Sequence, residues 1–441
     1  MNVNKYVELA VATDRLDTTG LNAKTMPLLG LAAEIGLLLA EMQKEVQVLS
    51  GASGTKGLSP NLMIQGEVKK KLGNIIWHVV AIARRAGLDF QKDILLGNLN
   101  KLAGKPPVVS TVPREAFVRR QKLVKLLNRS GDDAAATFNR YQACAWATSK
   151  YKTKSRALVY LVQISQNGSE LISRLDLARP RFDANQRSIT ADSLGDVMWY
   201  VAAIARVYSL QLNDVVADNI KLIYSRWPPR KHRKPSGLYD SEAPELQQIP
   251  RKFTVEFIDW AVGTKMPRKA IMLIDGVVVG DQLTDNSYDD DGYRFHDALH
   301  LANLAILGWS PVFRSLLKRK RKYDPQIDEV EDGARAQIVE EAIVKITHSY
   351  ASKIGGENLL NNQKNVRFEL LKWIRELAEG HEVAGADGRT HPCEYWEWER
   401  AILEGFRVYG LLRANGGGRV SVNLEQRSIK FRRHRKKAVR I

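Results

Sequence analysis

One run of residues occurs twice in this chain, and whatever fold the first copy adopts the second must be able to adopt as well. LGNIIWHVVAIARRAGLDF (Leu72–Phe90) aligns without a gap on LGDVMWYVAAIARVYSLQL (Leu194–Leu212), sharing Leu, Gly, Trp, Val and the run Ala-Ile-Ala-Arg. The match extends outward in the same order. YVELAVAT (Tyr6–Thr13) parallels YQACAWAT (Tyr141–Thr148), and Leu29–Glu41 parallels Leu161–Ser173. Three corresponding segments in one order indicate a duplication, residues 1 to about 105 and about 135 to 227.

Both copies carry a helical period. Leu28, Leu31, Ile35, Leu38, Leu39 and Met42 recur at steps of three and four, as one buried helix face requires. Ile75, Val79, Ile82 and Ala83 repeat the pattern, as do Val197, Val201, Ile204 and Ala205. Breaks fall at Gly51–Gly57, Gly104–Pro107 and Trp227–Gly237. The last of these, RWPPRKHRKPSG, reads as a basic linker closing the duplicated half.

At 441 residues the chain exceeds one ordinary helical core, so two or three domains are expected. Its net charge of +18 predicts attraction to polyanions: nucleic acid, anionic lipid or phosphate-bearing small molecules. Two cysteines, Cys144 and Cys393, give no disulfide framework and fit a reducing compartment. The most apolar stretch, Met26–Met42, is interrupted by Glu34 and Glu41 and reads as too short to span a bilayer. No signal peptide is legible at the start, so a soluble, cytoplasmic protein without membrane partners is expected.

The second half is patterned differently. A helix is expected after about Pro250, then a hairpin turning on Asp275-Gly276. Helices follow at Tyr293–Leu307, Pro311–Lys322 and about Val330–Ser352, with others near Asn365–Glu379 and Tyr395–Leu412. RVSVNL and RSIKF read as a second hairpin before a basic tail, RRHRKKAVRI.

LGLAAEIGLLLAE followed by KLGNIIWHVVAIARRAGLDF resembles the two-helix signature of the MazG-like nucleoside triphosphate pyrophosphohydrolases. In that family a helix with two acids three apart faces a second helix bearing Glu-x-x-Asp, and the four carboxylates hold Mg²⁺. This chain departs from the pattern in both copies. Glu34 matches the first acid, but Leu37, Lys71 and Asn74 stand at the others. In the second copy Gln166, Ser169 and Ser193 replace ligands and Asp196 alone remains. Glu34 and Asp196 therefore read as degenerate remnants. The resemblance implies an all-α fold: tandem MazG-like bundles forming a pseudo-dimer (1–112 and 135–236), then a mostly helical C-terminal domain with minor β-hairpins (250–441). The stretch from about Arg251 to Phe431, with FHDALHLANLAILGWSP and WEWERAI, looks like the C-terminal domain of some MazG-like proteins.

That domain holds the candidate site. DDDGYRFHDALHLANLAILGWSP puts Tyr293, His296, Asp297, His300 and Asn303 on one stripe of an otherwise apolar helix. DEVEDGARAQIVEEAIVKI then supplies Glu329, Asp332, Glu340 and Glu341. The expected metal ligands are Asp297, Glu329, Asp332, Glu340 and Glu341, holding Mg²⁺, with Mn²⁺ able to substitute. Asp297, Glu340, Glu341, His296 and His300 are the expected catalytic groups. Lys318, Arg319 and Lys322, with Tyr293 and Asn303, would contact the nucleotide. The adjacent His296-Asp297 also raises HD-type metal phosphohydrolases, which need a further His and Asp in a set helical arrangement.

The expected activity is Mg²⁺-dependent cleavage of an NTP or dNTP to the monophosphate and pyrophosphate. The alternatives are a catalytically inactive nucleotide sensor or scaffold built from pseudoenzyme repeats, and a nucleic-acid-binding protein using its basic surface and tail. Nucleoside triphosphates are the expected partners, and self-association into a homo-oligomer is left open.

Overall fold

The computed structural model describes residues 1–14, 22–51, 60–104, 114–179, 181–229, 233–261, 267–354, 366–379 and 393–434. The described residues are mostly helical with one small antiparallel sheet, and the chain divides into two units, Met1–Pro229 and Arg230–Ile441.

The first unit contains α1 (Val3–Ala12), α2 (Asn22–Gly51) and α3 (Pro60–Ala86), then a π-helical turn (Phe90–Leu96) running into α4 (Gly97–Ala103). Next come α5 (Arg114–Ser130), α6 (Phe138–Ala147), α7 (Lys154–Arg174), α8 (Ala184–Val207) and α9 (Leu212–Arg226). The repeated segments fold alike down to their ends. Asn2 caps α1 and Thr137 caps α6, each side-chain oxygen accepting backbone N–H groups of the first turn. Past α3, Gly87 (φ 69°) turns the chain and the Leu88 N–H donates to the Ala83 carbonyl at 2.9 Å. Past α8, Ser209 (φ 57°) does the same and Leu210 donates to Ala205 at 2.8 Å.

Leu28, Leu31, Ile35, Leu38 and Met42 are buried in the core, with Leu39 half-buried beside them. Helix α2 runs for 30 residues, farther than the apolar stretch Met26–Met42 had indicated. Its segment Ala23–Lys44 is long and apolar enough to cross a membrane by length and composition, with 33% of that apolar window buried. Helix α2 packs on α3 and α7 on α8, while α2 also meets α7 and α3 meets α8. The last helices cross over: α9 lies on α3 and α4 on α8.

Two glycines permit those crossings. A Cβ added to Gly73 would stand 2.8 Å from the Cβ of Asn219, and one on Gly195 would stand 2.9 Å from that of Asn98. The two asparagines complete matching chains. Tyr6 Oη donates to Asn219, whose amide donates to Asn74 at 3.1 Å; Tyr141 Oη donates to Asn98, whose amide donates to Asp196 at 3.1 Å.

The second unit corrects the sequence reading at several points. The segment after Pro250 is not a helix but β1 (Lys252–Trp260), the central strand of a five-stranded sheet. Its buried Val255 and Phe257 alternate with Thr254, Glu256 and the exposed Ile258, a period of two. The hairpins β2–β3 (Lys269–Ile274, Val277–Leu283) and β4–β5 (Gly417–Asn423, Ser428–Arg432) both form. They flank β1 in the order β3-β2-β1-β4-β5, all antiparallel, with Val255 opposite both Ile274 and Val420. The β structure is therefore one sheet rather than separate minor hairpins.

The expected helix Tyr293–Leu307 is a 3₁₀ turn (Tyr293–Phe295), α10 (Asp297–Ala302) and a π turn (Asn303–Leu307). After it come α11 (Pro311–Leu316), a π turn (Ile327–Glu331), α12 (Ala334–Ile354), α13 (Phe368–Glu379) and α14 (Tyr395–Asn415). Helix α11 stops short of the expected Lys322. Helix α10 packs on α14 and also meets α12. The last residues of the basic tail, 435–441, lie outside the described residues, as do 230–232 of the basic linker.

Candidate functional site

Helix α10 is buried on all sides: Asp297, Ala298, Leu299, His300, Leu301 and Ala302 are each 5% exposed or less. Leu299 and Ala302 serve the apolar core, while the polar stripe has to find partners or a ligand. The segment leading into it is anchored by Arg294, whose buried guanidinium reaches Asp259, Asp285 and Asp290. That anchor fixes Tyr293 and His296 at the mouth of the stripe.

Three side chains of the stripe converge. One ligand atom from each of His296, Asp297 and His300 lies within 4.8 Å of the others. The Nδ1 of His296 lies 2.9 Å from the Tyr293 carbonyl, which sets Nδ1 as the donor and leaves Nε2 free to ligate. That Nε2 is 3.9 Å from Glu341 Oε2 on α12. His300 is fully buried, with Glu340 Oε1 2.9 Å from Nδ1 and Glu341 Oε1 3.4 Å from Nε2. Neither contact has the alignment of a hydrogen bond, so both ring nitrogens are buried without one.

Glu340 is held from the other side. Its Oε2 accepts from the Ser310 hydroxyl at 2.9 Å and from the Val312 N–H at 3.0 Å, and Asn303 donates to Oε1 at 3.4 Å. Ser310 also caps α11 by accepting from the Phe313 N–H, so the Ser-Pro start of that helix serves two tasks. Glu340 thus faces His300 from behind, the place of a carboxylate that orients a ligating imidazole. Glu341, one residue on, is 47% exposed and faces Nε2 of both histidines.

The electrostatics match this division. Burial would lower the His300 pKa, but the charges of Glu340 and Glu341 outweigh it and push the ring up to about 10. Burial raises the Asp297 carboxyl above its ordinary range, with His296 and His300 opposing. Burial would raise Glu341 too, yet His300 holds it below the usual carboxylate range. Two imidazoles and a carboxylate around one point fit a borderline divalent ion such as Mn²⁺, Fe²⁺ or Zn²⁺ better than Mg²⁺, which prefers oxygen alone.

The remaining expected residues go elsewhere. Asp332 accepts from the Arg321 backbone N–H at 2.7 Å and from its guanidinium, and lies 3.7 Å from Arg314 Nε. Glu331 pairs with the same Arg321, and Asp240 pairs with Arg314 and Arg251, giving a buried ionic cluster. Glu329 is exposed on the Ile327–Glu331 turn. The basic run Lys318–Lys322 is therefore not one phosphate-facing patch. Arg321 is 3% exposed, Arg319 donates to the Leu246 carbonyl, Lys318 lies past the end of α11 with φ 55°, and Lys322 is exposed. Ser310, Val312, Lys345 and His348 were not expected near the site. Only Lys345 left a trace in the sequence, being four residues beyond Glu341 on one helix.

In the first unit each remnant acid has a lysine beside it. Lys71 Nζ lies 3.7 Å from Glu34 Oε2, and Lys101 Nζ lies 2.9 Å from Asp196 Oδ2.

Residues 234–435 match the family model of the MazG C-terminal domain. No curated protein and no solved structure matches the chain. The matched residues include the sheet, α10, α12 and α14, and hence the whole His296–Glu341 group. The second half of the chain is thus similar to the MazG C-terminal domain, and that match supports a MazG-like family assignment.

Proposed function

We propose that the chain is a divalent-metal-dependent hydrolase of nucleoside triphosphates, releasing the monophosphate and pyrophosphate, with its site in the C-terminal domain. What carries the reading is the convergence of His296, Asp297 and His300 on one point, two of them nine-tenths buried or more, with Glu341 facing them. His300 is fully buried with a carboxylate at each ring nitrogen, Glu340 at Nδ1 and Glu341 at Nε2, an arrangement that orients the ring toward the other two side chains. His296 and His300 through Nε2, with Asp297, would hold the ion, and Mn²⁺ suits that donor set better than Mg²⁺. Such an ion neutralises phosphate charge and acidifies a water. Glu341, half-exposed and facing Nε2 of both histidines, would be placed to take the proton from the attacking water at a carboxylate oxygen. Glu340, Ser310 and Val312 hold the ring of His300 in place.

For the first unit we favour the non-catalytic reading: a pseudo-dimer of repeats with exchanged terminal helices. The supporting observation is that ammonium groups, Lys71 and Lys101, stand beside Glu34 and Asp196 where a cation would otherwise be needed. A cytoplasmic location is part of the same proposal and agrees with Cys144 and Cys393 being buried and outside any disulfide.

The test is to incubate the full-length protein with each NTP and dNTP plus Mn²⁺ or Mg²⁺ and measure pyrophosphate. Release that survives in wild type and is lost in Asp297→Asn supports the site. No release with any nucleotide and either ion would leave the scaffold reading in its place.

A further inference from the structure

We propose that Lys345 binds the phosphate chain of the substrate and that Tyr293 positions it, an inference that rests on the metal-site reading above and deepens it. The need is electrostatic. Asp297, Glu340 and Glu341 cluster where an anionic substrate must approach, so a phosphate chain requires a cation beyond the metal. Four residues separate Glu341 from Lys345 on α12, which sets both side chains on one face of that helix.

Tyr293 links Lys345 to the ligand set. Its ring stacks on His296 with centroids 4.4 Å apart and planes 6° from parallel, and Lys345 Nζ stands 4.7 Å from the centroid of the same ring. With the imidazole on one face, the ammonium is left the other. Tyr293 is itself buttressed edge-on by His348, whose Nε2 lies 3.1 Å from Tyr409 Oη, and Tyr409 in turn donates to the Asp291 carbonyl. The ring therefore has little freedom, and the cation–π contact with it restrains an otherwise long, mobile lysine. Lys345 is exposed and makes no ion pair among the described residues, so its charge is available.

The test uses the full chain with two separate titrations. Mn²⁺ binding, read by electron paramagnetic resonance, reports on His296, Asp297 and His300. Binding of a methylene-bridged, non-hydrolysable nucleoside triphosphate analogue, read by calorimetry with and without Mn²⁺, reports on Lys345. Lys345→Ala should leave Mn²⁺ affinity unchanged and weaken the analogue about tenfold, the size of one charge-assisted contact, while Lys345→Arg retains most of it. Tyr293→Leu should weaken the analogue less than Lys345→Ala does. If Lys345→Ala binds the analogue as wild type does, the lysine belongs to a solvated face and the proposal is overturned. If wild type binds no Mn²⁺, the metal-site reading fails by itself. Lys345 is then judged by the metal-free titration, where an unchanged affinity overturns it and a weakened one upholds it.

Discussion

Gly195 and Asn98 approach so closely that a Cβ on the glycine would stand 2.9 Å from the asparagine Cβ, in a first unit where Gly73 stands in the same relation to Asn219. The close atom in each case is tied to the backbone, so it cannot swing aside. Gly195→Ala and Gly73→Ala should each destabilise the first unit by about 1–3 kcal/mol, the range for an overpacked core. Gly36, with nothing within 4 Å of an added Cβ, is the control. Gly36→Ala should stabilise by up to about 1 kcal/mol through helix propensity. Chemical denaturation of the three variants checks the contrast, and equal effects would contradict the packing.

Metal should stabilise the second unit. At about a hundredfold excess over its dissociation constant, Mn²⁺ should add about 2.7 kcal/mol of stability by mass action. Asp297→Asn should abolish the resulting rise in melting temperature. Glu34→Gln and Asp196→Asn should leave it intact, because their acids already have lysine neighbours. A rise abolished by the latter pair would move the metal to the first unit.

Asp332 has a structural task. Removing its charge leaves buried Arg321 with Glu331 alone and buried Arg314 with Asp240 alone, so Asp332→Ala should cost about 3–5 kcal/mol whether or not Mn²⁺ is present. Glu329→Ala, on an exposed turn, should shift stability by no more than about 0.5 kcal/mol. Thermal melts of both, with and without metal, separate this role from a ligand's.

The first unit should weaken in acid through His78. Burial lowers its pKa to about 4, and its Nδ1 is buried without a hydrogen-bond partner. The unfolded chain, with an ordinary histidine pKa of about 6.5, binds the proton first as pH falls. Its contribution is therefore complete above about pH 6.5 and is lost progressively down to about 4, amounting to roughly 3 kcal/mol. Measuring unfolding free energy from pH 7 to 4 in wild type and His78→Leu tests this. A variant with the wild-type slope would show that another group carries it.

Much of the architecture was written locally. The period of three and four in Leu28–Met42 fixed a buried helix face, and Asp275-Gly276 fixed a hairpin, because each depends on neighbours a few residues away. The stripe of His296, Asp297 and His300 was legible for the same reason. Strand β1 was missed although its alternation was present, because nine residues of mixed polarity acquire their meaning only from β2 and β4 on either side.

What only the tertiary structure decided was the fate of individual charges. Glu340 and Glu341 are adjacent in sequence, yet one is enclosed by Ser310 and Val312 while the other faces two histidines at the surface. Asp332 looked equivalent to them until Arg321 captured it. Lys345, marked in the sequence only by its place four residues beyond Glu341, came to lie over the ring that stacks on His296. Periodicity tells which face of a helix a residue occupies. Which partner that face meets depends on packing between distant segments, and a buried charge takes its role from that partner.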